Sequence, residues 1–298
     1  MQHRDLPRVT GHTRPIAILG YPIHHSLSPW IHNAAFAAAG LDYVYLALDV
    51  KPGDIETAVR GLRVLDFAGI TLTSPHKQTV IPLLDELTEE ARAIGAVNTV
   101  VNRDGRWIGT NTDATGFRRM LELNGLYRPG MKAVMLGAGG AARAGLYALL
   151  QVAREVVVLN RTVSRGEELL RSMEAFHGQC RCQALTLTPE TLETHLRDAD
   201  LLVNTTSVGM SPNDQECPVP EEVEIPAGCG VADMIYSPPK TLLLQRAERA
   251  GAVAASGHLM LLHQAVDAFK FWTGVDPDFS VMDDALRRGR EAQMRERH

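Results

Sequence analysis

A run of small residues, Gly137-Ala-Gly-Gly-Ala-Ala142, stands between an apolar stretch at residues 133–136 and a helical stretch at residues 141–150. A strand, G-x-G-x-x-A and a helix in that order form the turn of a βαβ unit. Gly137 permits the tight turn, Gly139 lets the backbone approach a pyrophosphate, and Ala142 allows the helix to pack closely on the strand. The helix N-terminus then presents unpaired N–H groups to an anion. The six residues alone also occur in methyltransferases and ordinary turns; the flanking strand and helix make them a dinucleotide signal.

The rest of the chain has the rhythm that such a turn requires. Residues 16–19, 43–50, 69–73 and 97–102 read as strands, and residues 29–39, 54–65 and 78–87 as helices. The alternation restarts after Arg128-Pro-Gly, with strands at 133–136, 156–159, 201–204 and 231–233, helices at 141–150 and through Arg171, and a last strand around Val253. The expected fold is α/β in two domains. Residues 1–112 form a substrate-binding and catalytic domain on a mostly parallel sheet, and residues 113–256 a Rossmann-like dinucleotide domain, with the active site in the cleft between them. The helix at residues 259–272 is apolar on most faces and crosses back, so residues 257–298 rejoin the first domain.

Composition narrows the class. With 298 residues, 45% hydrophobic and 22% charged, the chain can bury two ordinary cores. A net charge of -5 without a basic stripe argues against nucleic acid, and no apolar run is long enough for a membrane, so a small molecule is the expected partner. Assembly stays open, a homodimer included. Cys180, Cys182, Cys217 and Cys229 fit neither zinc spacing nor a CxxC pair, which points to a reducing cytoplasm. His24, His25, His76 and His263 lack the pairing of a metal site, and no metal is expected. Residues 1–14 lack the apolar core of a signal peptide and read as a frayed end; residues 287–298, dense in mixed charge, read as a solvated helix end without a function.

About 20 residues past the glycines, an NAD enzyme would present an acid to the ribose hydroxyls. This chain has Asn160-Arg161-Thr162 there and Arg165 a turn later. Two guanidiniums and a hydroxyl suit a 2′-phosphate, so NADP is the expected cofactor. The bland alternative is a pair of exposed arginines at a helix start. Catalytic groups must come from elsewhere. The loop Thr73-Ser-Pro-His-Lys77 follows a strand run, at the edge where open α/β sheets hold ligands, and Asp113 ends Gly109-Thr-Asn-Thr-Asp113 after the last strand run of the first domain. A lysine and a carboxylate that share a proton can take it from a hydroxyl as hydride leaves the same carbon. Taken singly, either is more often a surface residue or a helix cap.

Five separated motifs resemble those of the shikimate dehydrogenase family, in its order and spacing: Ser26-Leu-Ser-Pro-Trp-Ile-His-Asn33; Thr73-Ser-Pro-His-Lys77; Gly95-Ala-Val-Asn-Thr99 with Gly109-Thr-Asn-Thr-Asp113; Gly137-Ala-Gly-Gly-Ala-Ala142 with Asn160-Arg-Thr-Val-Ser-Arg165; and residues 260–264. The resemblance implies reversible NADP-linked reduction of 3-dehydroshikimate to shikimate, in the route to aromatic amino acids. It implies Lys77 and Asp113 as the catalytic pair, and Ser26, Ser28 and Tyr236 as holders of the substrate carboxylate. Thr73, Asn98 and Gln264 would take hydroxyls or the carboxylate. Toward the cofactor it implies Gly137, Ala138, Gly139, Gly140, Ala141, Asn160, Arg161, Thr162, Arg165, Thr205 and Gly257. For Ser26 and Ser28 the plain alternative is an N-cap before Pro29.

Two positions depart from the family's pattern. Thr71 stands where Asn is usual, which removes an amide, and Leu259 stands where Gly is usual, which is expected to narrow the pocket. A quinate-using relative or a paralogue with altered substrate is therefore an alternative. From another class, a non-catalytic NADP sensor is opposed by the intact Lys77 and Asp113, and a methyltransferase by Arg161 and Arg165.

Overall fold

The computed structural model describes residues 9–296 and divides into two compact units. One comprises the chain up to Ala91, Val97–Thr112 and the stretch from Ala265 onward; the other comprises Arg92–Ala96 and Asp113–Gln264.

In the first unit, β1 (Arg14–Gly20), α1 (Ser28–Ala38), β2 (Tyr43–Asp49), α2 (Ile55–Val64) and β3 (Gly69–Leu72) alternate strand and helix. After them come β4 (Glu86–Leu87), α3 (Glu89–Ile94), which runs on into the second unit, β5 (Thr99–Arg103) and β6 (Arg106–Thr110). The strand order is β2-β1-β3-β5-β6-β4. β3–β5 and β5–β6 are antiparallel and the other pairings parallel, so the sheet is mixed beyond β3. Because the chain passes from β1 to one side and returns on the other, the loops after β1 and β3 leave the same edge side by side. That reversal of strand order is where open α/β sheets bind ligands. Ala17, Leu19, Ile70 and Leu72 from the strands close on Val59 and Leu62 from α2 and on Trp107.

Residues 78–87 form no α-helix. The chain turns, makes one 3₁₀ turn at Ile81–Leu83 and enters β4. Pro82 has no N–H for a helix interior, and β-branched Thr79 and Val80 add little helix preference.

In the second unit, α4 (Asp113–Leu123) leads into β7 (Lys132–Leu136), α5 (Gly140–Leu150), β8 (Glu155–Asn160), α6 (Val163–Arg171), β9 (Arg181–Thr186) and α7 (Pro189–Leu196). Then follow β10 (Leu201–Asn204), β11 (Gly230–Asp233), α8 (Leu242–Arg249) and β12 (Ala254–Ser256). All pairings are parallel, in the order β12-β11-β10-β7-β8-β9. Numbered from β7, this is the 3-2-1-4-5-6 order of a Rossmann sheet. Its inner strands are buried on both faces, which is why they read as unbroken apolar runs. Met120, Leu146, Leu149 and Leu169 cover one face and Leu192, Leu196, Leu243 and Leu244 the other.

α9 (Gly257–Thr273) begins in the second unit and ends in the first, where α10 (Phe279–Glu296) packs on α1. A Cβ at Gly289 would lie 2.8 Å from the Trp30 ring, and Gln293 Nε2 donates to the His25 carbonyl at 3.1 Å. The charged stretch 287–298 is thus part of a docked helix, its last two positions lying outside the described residues. Of the expected frayed start, residues 1–14, the end is tied down. Residues 1–8 lie outside the described residues, but Thr13 Oγ1 donates to Asp42 at 2.6 Å and Arg14 to the Tyr43 hydroxyl at 2.7 Å. No helix among the described residues is long and apolar enough to cross a membrane.

Candidate active site

At the carboxyl edge of the first sheet, the loops after β1 and β3 are fastened to each other. Gly20 ends β1, where a Cβ would collide with the Thr73 methyl and lie 2.9 Å from Ile23. Tyr21 N–H donates to Ser74 O at 3.1 Å and Thr73 N–H to Leu19 O at 3.0 Å. His76 is the anchor of the Thr73–Lys77 loop. Its wholly buried ring donates from Nε2 to the Val50 carbonyl at 2.7 Å, and its N–H reaches Thr73 O at 2.8 Å. Val97 N–H donates to Lys77 O at 2.7 Å, so the lysine backbone is held while its side chain is half-buried.

Ser26 and Ser28 are buried in the neighbouring loop, which Ile23 N–H ties to Asp49 at 2.7 Å. Ser28 does not cap α1. Leu27 is the N-cap residue, and its carbonyl takes the N–H groups of Trp30 and Ile31 at 3.1 and 3.3 Å. Ser28 N–H donates to Ser26 Oγ at 3.3 Å. The Tyr45 hydroxyl bonds Thr71 Oγ1. Burial pushes the Tyr45 hydroxyl pKa well above its ordinary value, against the opposing pull of hydrogen bonding, so it keeps its proton. Asn98 is buried with its amide built into the strand ends: Oδ1 accepts Thr112 N–H at 2.8 Å and Nδ2 donates to Thr112 Oγ1 at 2.9 Å.

In the second unit, the turn after β7 has the form the sequence requires. Gly137 has φ +100°, and a Cβ on it would lie 2.8 Å from both Thr205 Oγ1 and Thr206 Cγ2. Gly139 is the N-cap residue of α5, with no side-chain cap and nothing within 4 Å of where a Cβ would stand. No side chain caps the first turn and a ligand can approach the backbone at Gly139, which suits a pyrophosphate. Thr205 spends its hydroxyl proton on the Leu136 carbonyl at 2.7 Å and backs the turn. At the end of β8, Asn160 Nδ2 donates to Thr162 O at 2.7 Å, and Thr162 starts α6 without a side-chain cap. Arg161 and Arg165 are exposed, and among the described residues no carboxylate pairs with either. An uncapped glycine turn and two uncommitted guanidiniums fit a dinucleotide that carries an extra phosphate.

Asp113 is buried as the first residue of α4. One turn on, a Cβ at Gly116 would lie 2.7 Å from Met260 O and 3.0 Å from Gln264, so α4 and the start of α9 meet backbone to backbone. Gln264 Nε2 donates to Leu261 O at 2.9 Å. Gly257 is dictated by packing as well, since a Cβ would fall on the Met234 backbone and lie 2.7 Å from Ile235 O. Leu259 is partly buried and packs against the apolar core of this unit.

Sequence reasoning passed over Asp233, which shapes the segment bearing half-buried Tyr236. Wholly buried, Asp233 accepts from Asn204 Nδ2 and Ile235 N–H at 3.0 Å each and from Thr241 Oγ1 at 2.7 Å. Burial raises its carboxyl to about 6 even so. Its signal was an acid closing the apolar run Gly230–Asp233. Among the described residues no group of His, Cys, Asp or Glu is arranged to hold a metal ion.

The family model of the shikimate dehydrogenase substrate binding domain matches residues 18–100, and that of the shikimate 5'-dehydrogenase C-terminal domain matches residues 257–287. A shikimate dehydrogenase (NADP(+)) of Methanopyrus kandleri is 45% identical over 280 residues, 93% of this chain and 96% of that protein. Shikimate 5-dehydrogenase of Listeria monocytogenes, solved with shikimate and NAD, aligns with a TM-score of 0.86 at 36% identity over 94% of this chain and 99% of that one. The Thermus thermophilus enzyme, solved with NADP(H) and shikimate, aligns with a TM-score of 0.81 at 37% identity over 93% and 100%.

Proposed function

The chain belongs to the shikimate dehydrogenase family, and from that premise we propose which of its residues carry the reaction. The enzyme is an NADP-dependent oxidoreductase that interconverts 3-dehydroshikimate and shikimate. NADP, when bound, exchanges a hydride with the carbon that is a ketone in one compound and an alcohol in the other. Lys77 and Asp113 handle the accompanying proton: together they take it from the hydroxyl oxygen during oxidation and return it during reduction. The observation that carries this reading is the Thr73–Lys77 loop. A half-buried lysine whose backbone is tied to Val97, beside a histidine bonded to Val50, is held as a proton-transfer group must be.

Ser26, Ser28 and Tyr236 hold the substrate carboxylate, and Thr73, Asn98 and Gln264 take its hydroxyls. Neutral donors suit a small polyhydroxy acid, because they satisfy its one anion without burying further charge. The cofactor pyrophosphate lies along Gly137, Ala138, Gly139, Gly140 and Ala141, and the 2′-phosphate is taken by Arg161, Thr162 and Arg165 on a turn held by Asn160. Thr205 and Gly257 border the same ligand. In this reading residues 1–112 with 257–298 serve the substrate and residues 113–256 the cofactor. Four free thiols support a cytoplasmic setting. A homodimer is the proposed assembly, which light scattering after gel filtration tests.

Consumption of NADPH on addition of 3-dehydroshikimate, followed by its fluorescence, tests the whole reading. Turnover is expected with NADPH and far less with NADH. Absence of turnover with either nucleotide would refute it, and cofactor binding without turnover would favour a sensor.

A further inference from the structure

Two cysteines stand two residues apart at the start of β9, and the proposed reaction uses neither. β9 lies at the sheet's edge beside β8, paired with it from Arg181 opposite Glu155 to Thr186 opposite Asn160. Side chains alternate along a strand, so Cys180, Cys182 and Ala184 share a face. That face is turned to α6, where a Cβ on Gly166 would lie 2.9 Å from the Ala184 methyl. The intervening Arg181 is exposed and pairs with Glu155 at 2.9 Å.

The two sulfurs lie 3.8 Å apart, with the Cys182 thiol donating to Cys180 Sγ. Neither is sealed in, since both side chains are half-buried. Residues two apart in a regular strand are separated by about 6.5 Å, near the upper end of the roughly 4.4–6.8 Å between Cα atoms that a disulfide accepts. Cys180 lies just ahead of the paired run and closes a turn through its N–H on His177 O at 2.7 Å. Its side chain can therefore approach Cys182 without breaking the β8–β9 ladder. Donation from Cys182 holds the Cys180 thiol below its ordinary value, against burial and the Glu155 charge, and the same hydrogen bond together with burial pushes Cys182 up. One sulfur is thus the readier nucleophile and the other its neighbouring thiol.

We propose that Cys180 and Cys182 form a redox-active dithiol site that reacts with low-molecular-weight disulfides. The Cys180 thiolate attacks one sulfur of RS–SR; a Cys180–SR bond forms, the RS–SR bond breaks, and RS⁻ leaves with the electron pair. Cys182 then attacks Cys180 Sγ, its proton passing to a departed thiolate, and the second RS⁻ leaves as the Cys180–Cys182 bond forms. The protein pair is oxidised by two electrons, RS–SR is reduced to two thiols, and the two protons of the dithiol end on them. Excess RSH runs the exchange backward. In a reducing compartment the pair stays open and closes under an oxidising load, which keeps both sulfurs short of the irreversible sulfinic and sulfonic acids.

The test is peptide mass spectrometry on the full chain after incubation with glutathione disulfide and alkylation of the remaining thiols in denaturant. Cys180 and Cys182 should carry no alkyl group and together lack two hydrogens, and dithiothreitol should restore both thiols. Cys180 should react at least about tenfold faster than Cys217. Cys182→Ser should stop at the mixed disulfide, with one glutathionyl group on Cys180, and Cys180→Ser should gain that group on Cys182 at least about tenfold more slowly. Two alkylated thiols at Cys180 and Cys182, when Cys217 has already reacted, overturn the proposal. So does a glutathionyl group that stays on either sulfur of the wild type, because the pair then fails to close, and so does a disulfide from either cysteine to a second chain. Faster reaction of Cys180→Ser than of Cys182→Ser would overturn the assignment of the attacking sulfur. If a serine variant does not fold, the wild-type peptides alone decide between a closed pair and two separate thiols.

Discussion

Replacing Asp233 by Asn should remove one slope from the dependence of stability on pH. In the folded protein, burial raises this carboxyl from 3.8 to about 6, with hydrogen bonds from Thr241, Ile235 and Asn204 opposing the rise. In the unfolded chain it titrates near the lower value. Between the two, the folded state binds a proton that the unfolded state has lost. Stability from this group is therefore fully present below the unfolded value and is lost as pH rises through the folded one. The interval of roughly 2 pH units corresponds to about 3 kcal/mol, an order-of-magnitude figure.

Asn suits the comparison because it keeps the site's geometry and does not titrate. Its carbonyl can accept from Asn204 and Ile235 as Asp233 Oδ1 does, and its amide can donate to Thr241 once that hydroxyl turns about. Urea unfolding of both proteins from about pH 3.5 to about pH 8 yields a difference curve in which every other titration cancels. Wild-type stability minus that of Asp233→Asn should fall by about 3 kcal/mol between about pH 4 and pH 6 and then level off. A flat difference, or one that rises with pH, would show that the carboxyl is not raised by burial and that the reasoning is wrong.

Lys77→Ala should lower kcat by about 10²–10⁴-fold with a much smaller change in KM for shikimate, and Asp113→Asn should do similar damage; a raised KM with kcat retained would reduce both residues to ligand holders. Arg161→Asp should erase the preference for NADP over NAD, since each charge-assisted hydrogen bond lost is worth about 1.5–3 kcal/mol. Similar kcat/KM for the two nucleotides in the wild type would refute the phosphate clamp. Quinate, with a saturated ring and an added hydroxyl on the carboxylate-bearing carbon, should be the poorer substrate by about 10²-fold in kcat/KM, and a ratio near one would overturn that.

What the sequence revealed, and what it hid, follows from where the determining partner lies. The turn after β7 could be read directly because a φ of +100° and a clash with Thr205 exclude side chains at Gly137 whatever else the chain does. The inner Rossmann strands were plain because burial on both faces demands unbroken apolar runs. Edge strand β9 was missed because it pairs only with β8, and Arg181-Cys-Gln-Ala-Leu-Thr186 is half polar. The β5–β6 hairpin had a local signal that went unused: Asp104-Gly105 adopts φ of 52° and 84°, the two-residue turn that Asp-Gly favours. α7 also announced itself, through Thr188 and Thr191 capping each other ahead of an apolar pair. Tyr45 had no such signal. It reads as one more strand aromatic, and only folding brings its hydroxyl to Thr71, 26 residues away.

That distance also decides how the two departures from the family's pattern bear on specificity. A substitution beside a ligand alters recognition when the new group faces the ligand, and packing when it faces the protein. Leu259 packs on the core of its own unit, and Thr71 is hydrogen-bonded to a buried phenol. Neither residue carries a charge. Of the residues that the family resemblance implies toward the substrate, the unit of the first sheet carries Ser26, Ser28, Thr73, Lys77 and Asn98. We expect an added hydroxyl at the carboxylate-bearing carbon to compete with the anion for the protons of Ser26 and Ser28, and it would find no amide at Thr71 to compensate. The expected preference for shikimate over quinate thus rests on the hydroxyls proposed around the carboxylate, and kcat/KM for the two acids tests it.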